Sequence, residues 1–145
     1  MARSFGLRAK LDFTYILDIE ASVGKNAPNH RDDVLLVQFL ISVWMAHEKD
    51  IQKLAPILQV TPELKIDGRC GEKTNANIRA FETFHQPTVI LDGRIDPTNQ
   101  TFKTNKMFLL NNIFFLAGGL RSDPILEQAK LRIPFPRELM KSLYR

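Results

Sequence analysis

Hydrophobic and polar positions alternate along residues 5–19. Apolar side chains occupy every second position from Phe5 to Ile19, and the positions between them are mostly charged or polar, with Ile16 as the exception. A repeat of two residues is typical of a half-buried β-strand. Because a single strand leaves its backbone groups unpaired, we expect it to pair either with residues 130–133, which also alternate, or with a strand of another molecule.

A repeat of three and four residues replaces this alternation after residue 31. It predicts an apolar, largely enclosed helix that ends at about Lys49 and carries Val34, Val37, Ile41 and Trp44 along one stripe. The preceding segment, residues 22–31, is rich in turn-forming residues and predicts a loop. We expect Asn29 or Asp32 to cap the start of the helix.

Two further helices are predicted along the chain. The second helix starts at Thr74 or a neighbouring residue, ends at Phe84 and buries Ile78 and Phe81. The third spans about residues 97–117, since its first residue is a proline and two glycines follow its end. It is more apolar than a three-helix domain requires, so we expect the N-terminal strand and the C-terminal tail to cover part of it. Any remainder would be a protein-binding patch.

An Asp-Gly-Arg turn precedes each of these two helices. Glycine adopts a positive φ without steric cost, and aspartate hydrogen-bonds its own backbone within such a turn. A threonine hydroxyl can then accept from the free amides at the helix start. We therefore assign a structural role to the turn residues Asp67, Gly68, Gly71, Thr74, Asp92 and Gly93.

The order of these elements resembles the peptidoglycan-binding domain-like family. The matching elements are an apolar helix with Gln38, the Asp-Gly-x-x-Gly-x-x-Thr pattern of residues 67–74, a helix with Phe81, and a second Asp-Gly turn. The family's Phe-Gln pair is Phe81-Glu82 in this chain. The resemblance covers residues 22–117 and implies a three-helix bundle.

The implied fold is mainly α, in a single domain over residues 1–145. An N-terminal β-strand at residues 5–19 and a C-terminal extension at residues 118–145 are added to the bundle at residues 22–117. The strand pairs with a C-terminal strand in one alternative and makes a homo-oligomer in the other.

The resemblance also implies a function: non-catalytic binding of the peptide stem of bacterial cell-wall peptidoglycan. The residues around the two turns are similar to those of modules associated with type VI secretion, which would make a secretion-system protein a partner. The alternative is a protein–protein interaction adaptor, chaperone or immunity protein that uses the same fold. The unmatched strand and the surplus apolar third helix favour this second hypothesis.

Five side chains near the turns are the candidate ligand-binding residues. Guanidinium groups bind carboxylates through two parallel hydrogen bonds, and ammonium and imidazole groups can line the rim of such a groove. The candidates are Arg69, Lys73, Arg79, His85 and Arg94.

No catalytic, metal or cofactor site is predicted. His30, His47 and His85 lack the paired spacing of zinc ligands, such as His-Glu-x-x-His. Cys70 is expected to be a small, buried residue beside a turn rather than a nucleophile.

The formal charge of +4 and the pI of about 9.4 come from residues spread along the chain, so nucleic acid is not an expected partner. No apolar run approaches the roughly 18 residues of a membrane span. Charged residues interrupt the N-terminal segment, so no secretory signal is expected. We expect synthesis in the cytoplasm and export, to the periplasm or to a target cell, by a secretion machine.

Overall fold

The computed structural model describes residues 3–8, 13–48, 64–98, 105–117, 133 and 136–139. The strands are β1 (Arg3–Arg8), β2 (Phe13–Asp18), β3 (Val23–Gly24) and β4 (Arg94–Ile95), and the helices are α1 (Arg31–His47), α2 (Glu72–Phe84) and α3 (Lys106–Leu116). Within these residues the fold is mainly helical, as predicted, with two small antiparallel sheets, β1–β2 and β3–β4.

Helix α1 is the centre of the hydrophobic core. Phe39 of α1 meets Phe114 of α3 edge to face, with 5.4 Å between the ring centres. Trp44 meets Phe81 of α2 in the same way at 5.2 Å. These contacts on different sides of α1 explain why its apolar residues are not confined to one stripe. None of the helices in the described part of the chain is long and apolar enough to cross a bilayer.

The N-terminal segment is a hairpin, so the prediction of one long strand was wrong. β1 pairs with β2 in an antiparallel register that sets Phe5 opposite Ile16 and Arg8 opposite Phe13. Both arms of a hairpin alternate with a period of two, so the pattern alone does not distinguish one strand from two. Ile16, the exception in a single strand, lies on the second arm. Of the proposed partner at 130–133, only Ile133 is described, and it packs against the core outside any strand.

A side-chain amide joins β2 to α3. Asn111 accepts a hydrogen bond from the backbone N–H of Leu17 and donates one to its carbonyl, each at 2.8 Å. It also donates to the carbonyl of Met107. All of these groups are buried, so Asn111 gives Leu17 the backbone partners that a neighbouring strand would otherwise provide.

The start of α1 differs from the prediction. His30 is the N-cap residue and makes no capping bond through its side chain. Asn29 has a φ of 53° and uses its amide to bind both the N–H and the C=O of Gly24, so it closes the preceding loop instead. Asp33, in the first turn of α1, accepts from the amides of Glu20 and Ala21. Neither Asn29 nor Asp32 therefore caps the helix.

The third helix begins later than predicted. Asn105 is its N-cap and accepts from the amide of Phe108 at 2.9 Å. The chain around Pro97 is not helical, because β4 pairs with β3 and Thr98 then donates two hydrogen bonds to the Asp18 carboxylate. The proline only permitted a helix start, whereas these pairings fix an extended path. The end at Ala117 agrees with the prediction, and the two glycines after it lie outside the described residues.

The apolar surface of α3 is covered in part. Met107, Leu110 and Phe114 are fully buried, whereas Leu116 is 61% exposed. Most of the tail expected to cover this helix lies outside the described residues. Its described residues, 133 and 136–139, include Leu139, whose fully buried side chain belongs to the core.

Candidate functional site

The first turn, residues 66–71, is held mainly by one buried side chain of α1. Gly68 has a φ of 78°, and the Asp67 carboxylate accepts from the amide of Arg69 at 2.9 Å, as predicted for this turn. The buried Gln38 accepts from the amides of Asp67 and Gly68 through its Oε1 atom. Its Nε2 atom donates to the Asp67 carboxylate and to the Arg69 carbonyl. One neutral amide thus binds four groups of the turn.

Two side chains hold the second turn, residues 91–95. Gly93 has a φ of 76°, and Asp92 accepts from the amide of Arg94 at 2.9 Å. The Glu82 carboxylate of α2 accepts from the amides of Asp92 and Gly93. Lys106 of α3 donates to Asp92 Oδ1 at 2.6 Å and to the Arg94 carbonyl at 2.8 Å, and it also contacts Glu82.

The two turns therefore offer the same four groups to different partners. In each turn, a side-chain oxygen atom from a helix accepts from the backbone amides of the Asp and the Gly. A side-chain nitrogen atom from a helix donates to the Asp carboxylate and to the backbone carbonyl of the Arg. Gln38 supplies both functions in the first turn, whereas Glu82 supplies the oxygen and Lys106 the nitrogen in the second. A carboxylate has no N–H to donate. This explains why the chain has glutamate where the resemblance expects glutamine, and why a lysine stands at the start of the apolar α3.

Burial makes the charges of the second turn interdependent. Glu82 is 1% exposed and Lys106 is 5% exposed. Desolvation raises the pKa of Glu82, and the Lys106 ammonium offsets part of that rise. Partial burial also opposes ionisation of Asp92, but hydrogen bonds from Lys106 and from the Arg94 amide hold the pKa of Asp92 below its ordinary value. Removing Lys106 would leave Glu82 as a buried charge without a counter-charge, whereas removing Glu82 would leave Lys106 paired with Asp92 alone.

Gly24 of β3 lies against the second turn. It is opposite Arg94 in the β3–β4 sheet, and the next amide, of Lys25, donates to the Gly93 carbonyl at 3.0 Å. The amide of Gly24 itself donates to the side chain of Asn29. Gly24 has a φ of 130°, and a Cβ atom here would lie 2.2 Å from the Gly93 carbonyl oxygen. Only glycine fits this close approach.

Three of the five predicted ligand-binding side chains lie in or next to the two turns. Arg69 is exposed in the first turn, and Lys73 is exposed at the start of α2, which follows that turn. Arg94 is half-buried in the second turn. Arg79 is exposed further along α2, about two helical turns from Glu72.

His85 differs from its predicted place on the rim. Its ring packs against Phe81, Phe84 and Trp44, with 4.4 Å between the ring centres of His85 and Phe81. Its Nδ1 atom lies 2.9 Å from the carbonyl of Phe81. Desolvation lowers the pKa of His85, which favours the neutral ring. His85 is therefore a packing residue rather than a member of the ligand-binding surface.

Two of the turn assignments also change. Gly71 is the N-cap of α2, but a Cβ atom at this position would meet nothing within 4 Å, so no steric contact requires a glycine. Thr74 is buried and does not cap the helix. Its hydroxyl accepts from Gln38 and faces the Arg69 carbonyl, so it ties α2 to the first turn.

Arg31 also contacts the first turn, although the sequence pattern did not indicate it. Its Nη1 atom donates to the carbonyl of Asp67 at 2.8 Å. Its side chain lies against Gly68, where a Cβ atom would come within 2.8 Å of it. Its Nε and Nη2 atoms bind the carboxylate of Glu138, which is 107 residues away in the sequence. A contact between residues so far apart in the chain cannot be recognised from a local sequence pattern.

Within the part of the chain that the structure describes, no group of three or more His, Cys, Asp or Glu side chains could hold a metal ion. Cys70 lies 3.3 Å from the Asn75 side-chain oxygen, and burial raises the pKa of its thiol. A raised pKa reduces the thiolate fraction and hence the reactivity of the sulfur.

No protein-family model, curated protein or solved structure matches this chain. The resemblance to the peptidoglycan-binding domain-like family therefore depends on the pattern of helices and turns alone, and the function it implies is a proposal.

Proposed function

We propose that this chain is a non-catalytic module that binds the peptide stem of bacterial peptidoglycan, with a fold of the peptidoglycan-binding domain-like kind. The observation that carries the proposal is the repeated turn: two Asp-Gly-Arg turns with the same internal hydrogen bonds. A type VI secretion machine is the proposed route by which the module reaches a cell wall.

The hydrogen bonding within the turns supports arginine side chains as the ligand-binding groups. The amides of Asp67, Gly68, Asp92 and Gly93 already donate to Gln38 and Glu82, so they are not available to bind a carbonyl of the stem. The side chains of Arg69 and Arg94 start from backbone that these bonds hold in place. A guanidinium group suits bidentate recognition of a stem carboxylate.

The surface around the turns is not simply basic. Lys25, Arg69, Lys73 and Arg94 are balanced there by Asp67, Glu72, Asp92 and Asp96. Non-specific attraction to an anionic polymer should therefore be weak, and binding should depend on the geometry of the arginines. Purified sacculi test this directly, because they sediment and carry bound protein into the pellet.

We expect the double variant Arg69→Ala/Arg94→Ala to lose at least about tenfold in affinity for sacculi, since each lost bond to a charged group contributes about 1.5–3 kcal/mol. The matched control is Arg69→Lys/Arg94→Lys, which keeps the charge and loses the bidentate geometry. It should bind weakly too. Normal pelleting of a folded Ala double variant would exclude this surface as the binding site.

Competition with soluble fragments identifies the recognised component. Peptide stems released by an amidase should displace the module from intact sacculi, whereas the released glycan strands should not. Displacement by the glycan strands and not by the stems would contradict the choice of the stem as ligand.

A second candidate function, protein–protein interaction, is favoured by a different observation. Ile90, Leu91 and Leu116 are large apolar residues that are 69%, 50% and 61% exposed. Neighbouring exposed apolar residues are common in binding surfaces, although single ones are ordinary. Light scattering after size-exclusion chromatography distinguishes the two: a homo-oligomer that Ile90→Ser/Leu91→Ser converts to a monomer, with no sacculus binding by either protein, favours the interaction module.

A further inference from the structure

The guanidinium of Arg31 is positioned at the first turn by contacts other than its ion pair. Nη1 donates to the backbone carbonyl of Asp67 at 2.8 Å, and the side chain lies against Gly68. One edge of the guanidinium is therefore fixed by the turn. The other edge, formed by Nε and Nη2, points to a carboxylate with the two parallel bonds that arginine makes to carboxylates in general.

That carboxylate belongs to Glu138. The bonds measure 2.9 Å from Nε and 2.7 Å from Nη2, and they hold the pKa of Glu138 below its ordinary value. The Arg31 side chain is 54% exposed and that of Glu138 is 52% exposed, so solvent reaches both partners. Exposed ion pairs contribute little to the stability of a fold. A carboxylate from solution can therefore compete with Glu138.

The next residue keeps Glu138 at this place. Leu139 is fully buried in the core, and its amide donates to the carbonyl of Pro136 at 3.0 Å. The backbone of the segment is thus anchored beside the first turn whether or not the ion pair forms. Displacing the Glu138 carboxylate requires only a rotation of its side chain.

We propose that Arg31 is a carboxylate-binding site at the first turn, and that Glu138 occupies it as an internal competitor until a ligand carboxylate replaces it. The class of ligand is a peptide with a free carboxylate. The choice of the peptidoglycan stem as its source depends on the proposed function above, whereas the site itself does not.

The test is a titration of the full ¹⁵N-labelled chain with N-acetyl-D-alanine at constant ionic strength, followed by the backbone amide signals of Asp67, Gly68 and Arg69. The amide of the same compound, N-acetyl-D-alaninamide, is the uncharged control probe. We expect Glu138→Gln to bind the carboxylate about two- to fivefold more tightly than the wild type, the factor that corresponds to the loss of an exposed ion pair. Arg31→Lys/Glu138→Gln should lose that gain.

Glu72→Gln is the matched charge control. Glu72 is also an exposed glutamate beside the first turn, but no contact with Arg31 is described for it. It should bind the carboxylate as the wild type does. Equal gains in Glu72→Gln and Glu138→Gln, or equal responses to the acid and the amide, would overturn the site, since they would show general electrostatics or binding without the carboxylate.

Sacculus pelleting separates this inference from the proposed function. If the titration follows the expectation but no variant binds sacculi, the carboxylate site stands and peptidoglycan is not its ligand. If sacculi bind through Arg69 and Arg94 while Glu138→Gln shows no gain in the titration, the Arg31 site is refuted and the proposed function remains.

Discussion

Replacing Lys106 with methionine removes the nitrogen that holds the second turn. The aliphatic part of the side chain is nearly conserved, so the change acts mainly on the charge and the hydrogen bonds. Lys106 contacts Glu82, Asp92 and the carbonyl of Arg94, and all three lose their donor. Glu82, which is 1% exposed, becomes a buried carboxylate without a counter-charge.

The expected cost is about 3–5 kcal/mol of unfolding free energy, the range found when one partner of a buried ion pair is removed. That is a large part of the 5–15 kcal/mol that typically separates a folded domain from its unfolded chain. The exposed Lys73 supplies the control, because Lys73→Met should change stability by less than about 0.5 kcal/mol.

A second substitution should recover most of the loss. In Glu82→Gln/Lys106→Met, the new amide has both an oxygen for the amides of Asp92 and Gly93 and an N–H for the remaining acceptors. This is the arrangement that Gln38 already makes in the first turn. We expect the double variant to lie within about 1.5 kcal/mol of the wild type, with a coupling energy of at least about 2 kcal/mol between the two positions.

Urea unfolding followed by fluorescence measures these differences, because Trp44 is the only tryptophan of the chain and lies in the core. If the double variant is as unstable as Lys106→Met alone, the equivalence of the two turns is refuted. A cost below about 1 kcal/mol for Lys106→Met would show that the buried ion pair does not hold the second turn.

Three other changes test separate parts of the structure. Gln38→Glu removes the side-chain N–H donors that hold the first turn and adds a carboxylate beside Asp67. We expect urea unfolding to show a free energy of unfolding about 2–4 kcal/mol lower than that of the wild type. A decrease below about 1 kcal/mol would contradict the role of the amide. Gly24→Ala should lower the free energy of unfolding by at least about 2 kcal/mol, because its Cβ atom would overlap the Gly93 carbonyl. Gly71→Ala should leave stability nearly unchanged, and equal thermal midpoints for the two variants would disprove the close approach. The pKa of His85 is lowered in the folded state, so the unfolded chain binds its proton first as the pH falls below about 6.5, and stability should decrease there. His85→Gln should reduce that decrease between pH 7.5 and 5.5, and an unchanged pH dependence would count against the buried, neutral ring.

Local patterns were sufficient to predict α1, α2 and both turns. The spacing of apolar residues indicates which of them share a helix face. A glycine after an aspartate indicates a turn with a positive φ, and Gly68 and Gly93 both have one. These properties depend on neighbours within about four residues. The assignment of Ile78 and Phe81 to the core was confirmed for the same reason.

Contacts between distant residues could not be predicted in this way. Lys106 joins α3 to a turn 12 to 14 residues earlier, and Arg31 meets Glu138 across 107 residues. The helix expected at Pro97 was wrong because the pairing of β4 with β3 overrides a local preference. The two turns were therefore predicted, whereas most of the side chains that hold them were not, and the ligand-binding role of the arginines stays a prediction.

Asn111 has a consequence for the solubility of the chain. Its amide binds both backbone groups of Leu17, so it closes one edge of β2 at that residue. These groups are buried while β2 packs against α3, and separation of the two elements would expose them as an open sheet edge, which is how aggregation starts. In Asn111→Leu the buried groups lose their partners, which disfavours the packed arrangement by about 1–3 kcal/mol. The variant should then scatter more light as its concentration rises, at temperatures where its helices are still folded. The Asn111 amide thus links the packing of the N-terminal hairpin to the protection of its edge from a second chain.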